Sequence, residues 1–137
     1  SFEKYLQHLT NVYNGFSPER YITLNTNLND GLSMTDTRTI ALGTIYMEFL
    51  TNLIKHSKAT GDVELSFDIY DDPMGQRIEI KEHGGEPVDI KKISETKSLG
   101  NKLNKILALQ EGYNLIYKWD EGLILSLVPF RDEEEAA

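Results

Sequence analysis

The sequence predicts a two-layer α/β sandwich in which a mixed, largely antiparallel sheet carries its helices on one face. Three observations lead there. Apolar residues recur at helical spacing in three separate stretches, and they alternate with polar residues in two pairs of adjoining stretches. A further short apolar run lies between the first two helical ones. Each alternating pair is joined by a short turn and therefore reads as an antiparallel hairpin. Helices set between such strands bury their apolar sides as a second layer on the sheet.

Along the chain, Phe2, Leu6, Leu9, Tyr13 and Phe16 repeat every three or four positions, which marks an amphipathic helix ended by Asn14-Gly15 and Ser17-Pro18. His8 lies on it as an exposed residue, without the neighbouring acid that a phosphoacceptor histidine usually has. Residues 21–25 read as a short strand, followed by turn chemistry at Asn27, Asn29, Asp30 and Gly31. Thr35 or Asp36 can cap the long helix that runs to about Ser57, and residues 58–62 close it. Val63, Leu65, Phe67 and Ile69 alternate with polar residues, and Ile78 and Ile80 resume the alternation after a hairpin loop at 71–75. Residues 89–97 are polar and without strong period, so they read as a loop. A third helix starts near Ser98, with Leu99, Leu103, Ile106, Leu107 and Leu109 as its apolar positions. Residues 113–118 and 123–128 form a last hairpin around Asp120-Glu121-Gly122.

The chain of 137 residues is long enough for one domain with a real core and short for two, so residues 1–130 read as a single domain and 131–137 as an acidic tail. Without cysteine it has neither disulfides nor thiolate chemistry. The net charge of −8 argues against nucleic acid as a partner, because duplex binding draws on basic contacts to phosphate. No apolar run approaches the length of a membrane span. A start at Ser1 suggests a domain excised from a parent chain, which could itself be membrane-bound, with this part in the cytoplasm.

Chemistry concentrates on the long helix. Glu48, Asn52, Lys55 and His56 stand at i, i+4, i+7 and i+8, a polar stripe along a helix whose other sides carry Phe49, Leu50, Leu53 and Ile54. A carboxylate, a carboxamide and a cation on one face suit a magnesium–polyphosphate site. The Asn carbonyl is a hard oxygen ligand, the carboxylate can orient a water or hydroxyl, and the cation balances phosphate. A plain solvated ion pair beside a helix asparagine is the competing reading.

The run Glu48-Phe49-Leu50-Thr51-Asn52-Leu53-Ile54-Lys55-His56-Ser57 resembles the N box of the GHKL ATPase superfamily, and most of all that of sensor histidine kinases, commonly E-x-x-x-N-x-x-K-H. The resemblance implies the Bergerat ATP-binding fold over nearly the whole chain, with ATP and Mg2+ as cofactors. It implies Glu48 as the catalytic residue, Asn52 as the magnesium ligand, and Lys55 and His56 beside the nucleotide.

Two further segments fit the same family less closely. Glu82-His83-Gly84-Gly85-Glu86-Pro87 stands where the D-x-G-x-G box sits, with Glu82 in place of the adenine-binding Asp, Gly84 as the first glycine and Glu86 in place of the second. Read from the residues alone, the paired glycines mean either backbone drawn close to a ligand or a tight turn. Ser98-Leu99-Gly100-Asn101 resembles the G-x-G-L box with only Gly100 kept, at a helix start suited to phosphate. Lys91, Lys92, Lys97, Lys102 and Lys105 face a single acid, Glu95, within residues 91–105. This cluster suits an anionic ligand or an acidic partner, unless the lysines are merely solvated. By resemblance Lys97, with Gly100, joins the nucleotide site.

Three functions follow from the resemblance. The first is the ATP-binding catalytic domain of a two-component sensor histidine kinase, phosphorylating a histidine on a separate helical dimerisation domain of the parent chain. The second is a degenerate kinase-like domain with little or no ATP binding, serving as a phosphotransfer scaffold or a docking module for a response regulator. The third is a GHKL regulator of anti-sigma type, which nothing here specifically favours. In the first two, the stripe on the long helix is expected to open on a cleft bounded by residues 82–87 and the helix start at Ser98.

Overall fold

A computed structural model describes residues 1–17, 19–29, 34–56, 61–95 and 97–130. The elements follow in the order α1 (Phe2–Phe16), β1 (Arg20–Asn27), α2 (Asp36–His56), β2 (Gly61–Asp72), β3 (Gly75–His83), α3 (Ile90–Glu95), α4 (Leu99–Gln110), β4 (Tyr113–Trp119) and β5 (Leu123–Pro129). The five strands form one sheet in the order β1-β2-β3-β5-β4. Only β1 and β2 run parallel, as the connection through α2 requires, and every other pairing is antiparallel. The expected mixed sheet with helices against it is therefore the architecture of the chain.

Register explains the core. Phe67 pairs with Ile80, Ile80 with Leu125, and Leu125 with Tyr117, so one row crosses four strands. Ile69, Ile78, Leu127 and Leu115 make the next row. Against these rows α1 sets Phe2 and Leu6, and α2 sets Leu42, Ile45, Tyr46, Phe49, Leu50 and Leu53. Phe67 meets the edges of both Phe2 and Tyr46, with ring centroids 5.6 and 6.0 Å apart. Thr10 joins α1 to α2 by a 2.7 Å hydrogen bond to the Tyr46 hydroxyl.

Two details refine the reading of the sequence and two depart from it. Of the two expected stops for α1, the second holds: the helix runs through Asn14-Gly15 and ends at Phe16, with Ser17 as its C-cap. The Asn14 carboxamide donates to the Ile22 carbonyl at 2.9 Å and accepts the Ile22 N–H at 2.8 Å, so it pairs with the free edge of β1 as a strand would. Of the two candidate caps for α2, Thr35 takes the place, accepting the Arg38 N–H at 3.1 Å. Residues 90–95, expected as loop, form the short helix α3, which is started by an Asp89 side chain that accepts the Lys92 N–H at 3.2 Å and anchored by a fully buried Ile93. α4 begins after Ser98, but it turns Asn101, Asn104 and Ala108 inward and leaves Leu99, Leu103, Ile106 and Leu109 exposed. Asp30, Gly31, Pro18, residues 57–60 and the acidic tail at 131–137 lie outside the described residues.

The β4–β5 turn is fixed by one glycine. Gly122 has φ of +149°, and a Cβ there would overlap the Glu82 carbonyl oxygen, which is backbone and cannot swing aside. Gly122→Ala should therefore destabilise the fold by about 2–4 kcal/mol in urea unfolding with an unchanged denaturant slope. A loss below about 0.5 kcal/mol would mean that the turn relaxes freely.

Candidate functional site

α2 carries the polar stripe into the interior. Asn52 sits between the fully buried Phe49 and Leu53 and is itself only 2% exposed. A carboxamide at such a position must find partners, since burying it dry costs about 1–3 kcal/mol. Its Nδ2 donates to the Tyr117 hydroxyl on β4 at 2.9 Å and to Asn101 Oδ1 on α4 at 3.2 Å. Asn101 Nδ2 in turn donates to the Ile93 carbonyl of α3 at 2.9 Å. One chain of hydrogen bonds thus ties α2, β4, α4 and α3. The cleft expected at this face is closed over Asn52 by Asn101 and Tyr117.

One turn before Asn52, Glu48 packs its carboxylate on the start of α4, where any side chain at Gly100 would overlap it. Burial pushes the Glu48 carboxyl above its usual range, and the Lys55 charge partly opposes this. The Tyr117 phenol is pushed up to about 12, chiefly by burial. The Asn52 N–H pulls it down and the Glu48 charge pushes it further up, which sets these three groups beside one another. At the far end of α2, burial holds His56 below the ordinary imidazole range, helped by Lys92 and Lys55 and opposed by Asp89. Lys55 and Lys97 are exposed, and Ser98 caps α4 by accepting the Asn101 N–H at 3.2 Å.

Glu82 lies within reach of the charge of Arg20, whose guanidinium donates to the Leu53 carbonyl at 3.4 Å, next to Asn52 in α2. Glu82 itself is 2% exposed at the end of β3, and its Oε1 accepts the Leu123 N–H of β5 at 3.0 Å. Burial pushes its carboxyl up, while the Leu123 N–H and the Arg20 charge pull it down. Gly84 and Gly85 both have positive φ, +83° and +116°, and a Cβ on Gly85 would lie 2.7–2.8 Å from the Glu82 carboxyl atoms. The paired glycines let the chain wrap round this carboxylate, and the Gly84 N–H donates to the Glu121 carbonyl at 2.9 Å. Glu86 is exposed.

The structure therefore brings Glu48 and Asn52 against Gly100 and Asn101, sets His56 towards Asp89 and Lys92 of the α3 region, and gathers Glu82 and Gly84 at the β4–β5 hairpin. Among the described residues no three His, Cys, Asp or Glu side chains cluster as a metal site. A magnesium ion here would depend on the Asn52 oxygen together with oxygens of a bound nucleotide. Sequence reasoning missed Tyr117 and Asn104, and took Asn101 only as a lost box residue. The inward spacing of Asn101, Asn104 and Ala108 was the available signal, and it was masked by the stronger aliphatic repeat on the opposite side of the same helix.

No protein-family model matches the chain, and no curated protein matches it in sequence. Solved structures do match. The histidine kinase domain of the blue-light activated histidine kinase from Erythrobacter litoralis EL346 superposes with a TM-score of 0.71 at 16% identity, over 98% of this chain and 63% of that one. The Acinetobacter baumannii histidine kinase AdeS gives 0.70 at 10% identity, over 96% of this chain and 66% of that one. The catalytic domain of histidine kinase ThkA gives 0.66 at 13% identity, over 97% and 94%. This chain thus spans just under two thirds of the first two and almost all of the third. No helix among the described residues is long and apolar enough to cross a membrane. The chain has the fold of the catalytic domains of sensor histidine kinases.

Proposed function

We propose that this chain is the ATP-binding catalytic-type domain of a two-component sensor histidine kinase, with a nucleotide face that is closed at rest and binds ATP weakly. The observation that carries this reading is the placement of Asn52, with its N–H bonds committed to Tyr117 and Asn101 and with Glu48 beside it on Gly100. The donor set suits the phosphate end of a nucleotide. Asn52 supplies a hard oxygen, Lys55 and Lys97 supply charge, and Gly100 allows close approach at the α4 start. Bound Mg-ATP supplies the γ-phosphoryl group, which passes to a histidine on a separate helical dimerisation domain.

Within that reaction Glu48 is the proton-handling group. Burial raises the proton affinity of its carboxyl above that of a free carboxylate, and the Lys55 charge partly opposes this. His56, held low, stays neutral and adds no charge beside Lys55. Opening the face requires α4 to part from α2, which breaks the Asn52–Asn101 bond and frees the carboxamide to turn.

The adenine end supports a weaker grip. Glu82 replaces the shorter acid of the resembled box, and its carboxylate is occupied by the Leu123 N–H. Glu86 brings a negative charge towards a polyphosphate. A second reading, a degenerate domain acting as a scaffold or response-regulator dock, is favoured by α4. Leu99 is 81% exposed, Ile106 51% and Leu103 43%, a stripe at 4-3 spacing with Lys102 beside it. Such a seam suits an amphipathic helix with acidic flanks, and under the first reading it would receive the dimerisation helix.

Titration of Mg-ATP should give weak or unmeasurable binding to the native chain. The double change Glu82→Asp with Glu86→Gly should tighten it about tenfold while lowering stability by about 1 kcal/mol, because the Leu123 N–H loses its acceptor. Tight binding by the native chain, or no gain in the double variant, would refute the proposed pocket. Leu99→Glu with Leu103→Glu should leave stability within about 0.5 kcal/mol, since both side chains are exposed, and should abolish phosphoryl transfer to or docking of the helical partner. Undiminished transfer and docking would remove α4 from the interface.

A further inference from the structure

α4 has two flanks. Gly100 meets Glu48 of α2, whereas the Lys105 ammonium donates to the Ser94 carbonyl of α3 at 3.2 Å. These positions are five residues apart, about 140° around the helix, so the α3 flank is distinct from the face that carries Glu48. Between α3, α4 and β4 lies a pocket of about 180 Å³. A cavity of about 150 Å³ is enough to hold benzene.

The pocket is built for an acceptor. Asn104 lines it and is 2% exposed, yet its Nδ2 has no hydrogen-bond partner. A buried amide N–H left in this state is rare and costly to a fold. Its neighbour Asn101 donates to the Ile93 carbonyl and accepts from Asn52, so burial alone does not explain an unpaired group at this level of the helix. Tyr117 also lines the pocket. Its oxygen accepts the Asn52 N–H, which leaves its own O–H to donate, and burial keeps that proton in place. Lys105 is exposed at the pocket, and the bond to Ser94 uses one of its three N–H groups. Ile93, Ser94, Asn101, Leu115 and Ile116 complete the described walls, and none of the described lining residues is acidic.

We propose that the pocket between α3, α4 and β4 binds a small monocarboxylate whose apolar body is about one ring in size. Asn104 and Tyr117 donate to the carboxylate, Lys105 balances its charge, and Ile93, Leu115 and Ile116 enclose the apolar part. The inference does not depend on nucleotide binding at α2. It does carry a consequence for that face, since a ligand on Tyr117 shares the hydroxyl that holds Asn52.

Benzoate is the probe, added to the full chain and followed through the asparagine side-chain amide resonances. A saturable shift of the Asn104 amide is expected, with benzamide, of the same shape and without charge, binding at least about tenfold more weakly. Lys105→Met, at an exposed site, should weaken benzoate about fivefold without changing the unfolding midpoint. Asn104→Leu removes the donor and fills the space with an apolar group, so it should stay folded, unfold at the same or a higher temperature, and show no benzoate shift. Absence of a saturable shift, equal binding of benzamide, retained affinity in folded Asn104→Leu, or a response centred on the Asn52 amide would each overturn the proposal.

Discussion

A single buried carboxamide sets the arrangement of the helical layer. Asn52 lies on the apolar side of α2, where its neighbours Phe49, Leu50 and Leu53 are fully buried, and a polar group there is tolerated only if its N–H groups are met. The partners come from elements far away in sequence, Tyr117 of β4 and Asn101 of α4. Asn101 then passes the constraint to the Ile93 carbonyl, the point at which α3 enters the core. Apolar packing alone gives α4 little hold on the sheet, because its fully buried residues are Ala108 and two asparagines, with Leu107 partly buried against the core. Directional bonds supply the positioning that its side chains lack.

The same constraint shapes the functional reading. In the resting structure the groups suited to magnesium and phosphate are assembled but used for internal contacts, with Asn52 bonded across to α4 and Glu48 seated on Gly100. Glu82 repeats the pattern at the other end. Its carboxylate holds the end of β3 to the start of β5 through Leu123, and the positive-φ glycines 84 and 85 exist to pass round it. A nucleotide bound as proposed would compete with contacts that stabilise the fold. Under the proposed function, weak nucleotide affinity would be the thermodynamic consequence of that competition.

Much of the architecture was legible because it rests on local periodicity. The alternation of Val63, Leu65, Phe67 and Ile69, and of Ile78 with Ile80, survives intact as the inner rows of the sheet. α3 was not legible, because six residues with one buried anchor carry no detectable period. α4 was legible as a helix but not in orientation. Its aliphatic residues form the more regular stripe, and only the demands of Asn52 and Ile93 turn the asparagines inward. In the site, the stripe from Glu48 to His56 could be read from spacing alone. The roles of Asn101 and Tyr117 could not, since they follow from tertiary contacts 49 and 65 positions away from Asn52.

The central claim is that the Asn52–Tyr117 hydrogen bond couples α2 to β4 and holds the helical layer in register. A double-mutant cycle with Asn52→Leu and Tyr117→Phe, read as urea unfolding free energies, measures that coupling directly. The account predicts an interaction energy of about 1 kcal/mol favouring the native pair. A value below about 0.3 kcal/mol, with all four proteins folded, would contradict it.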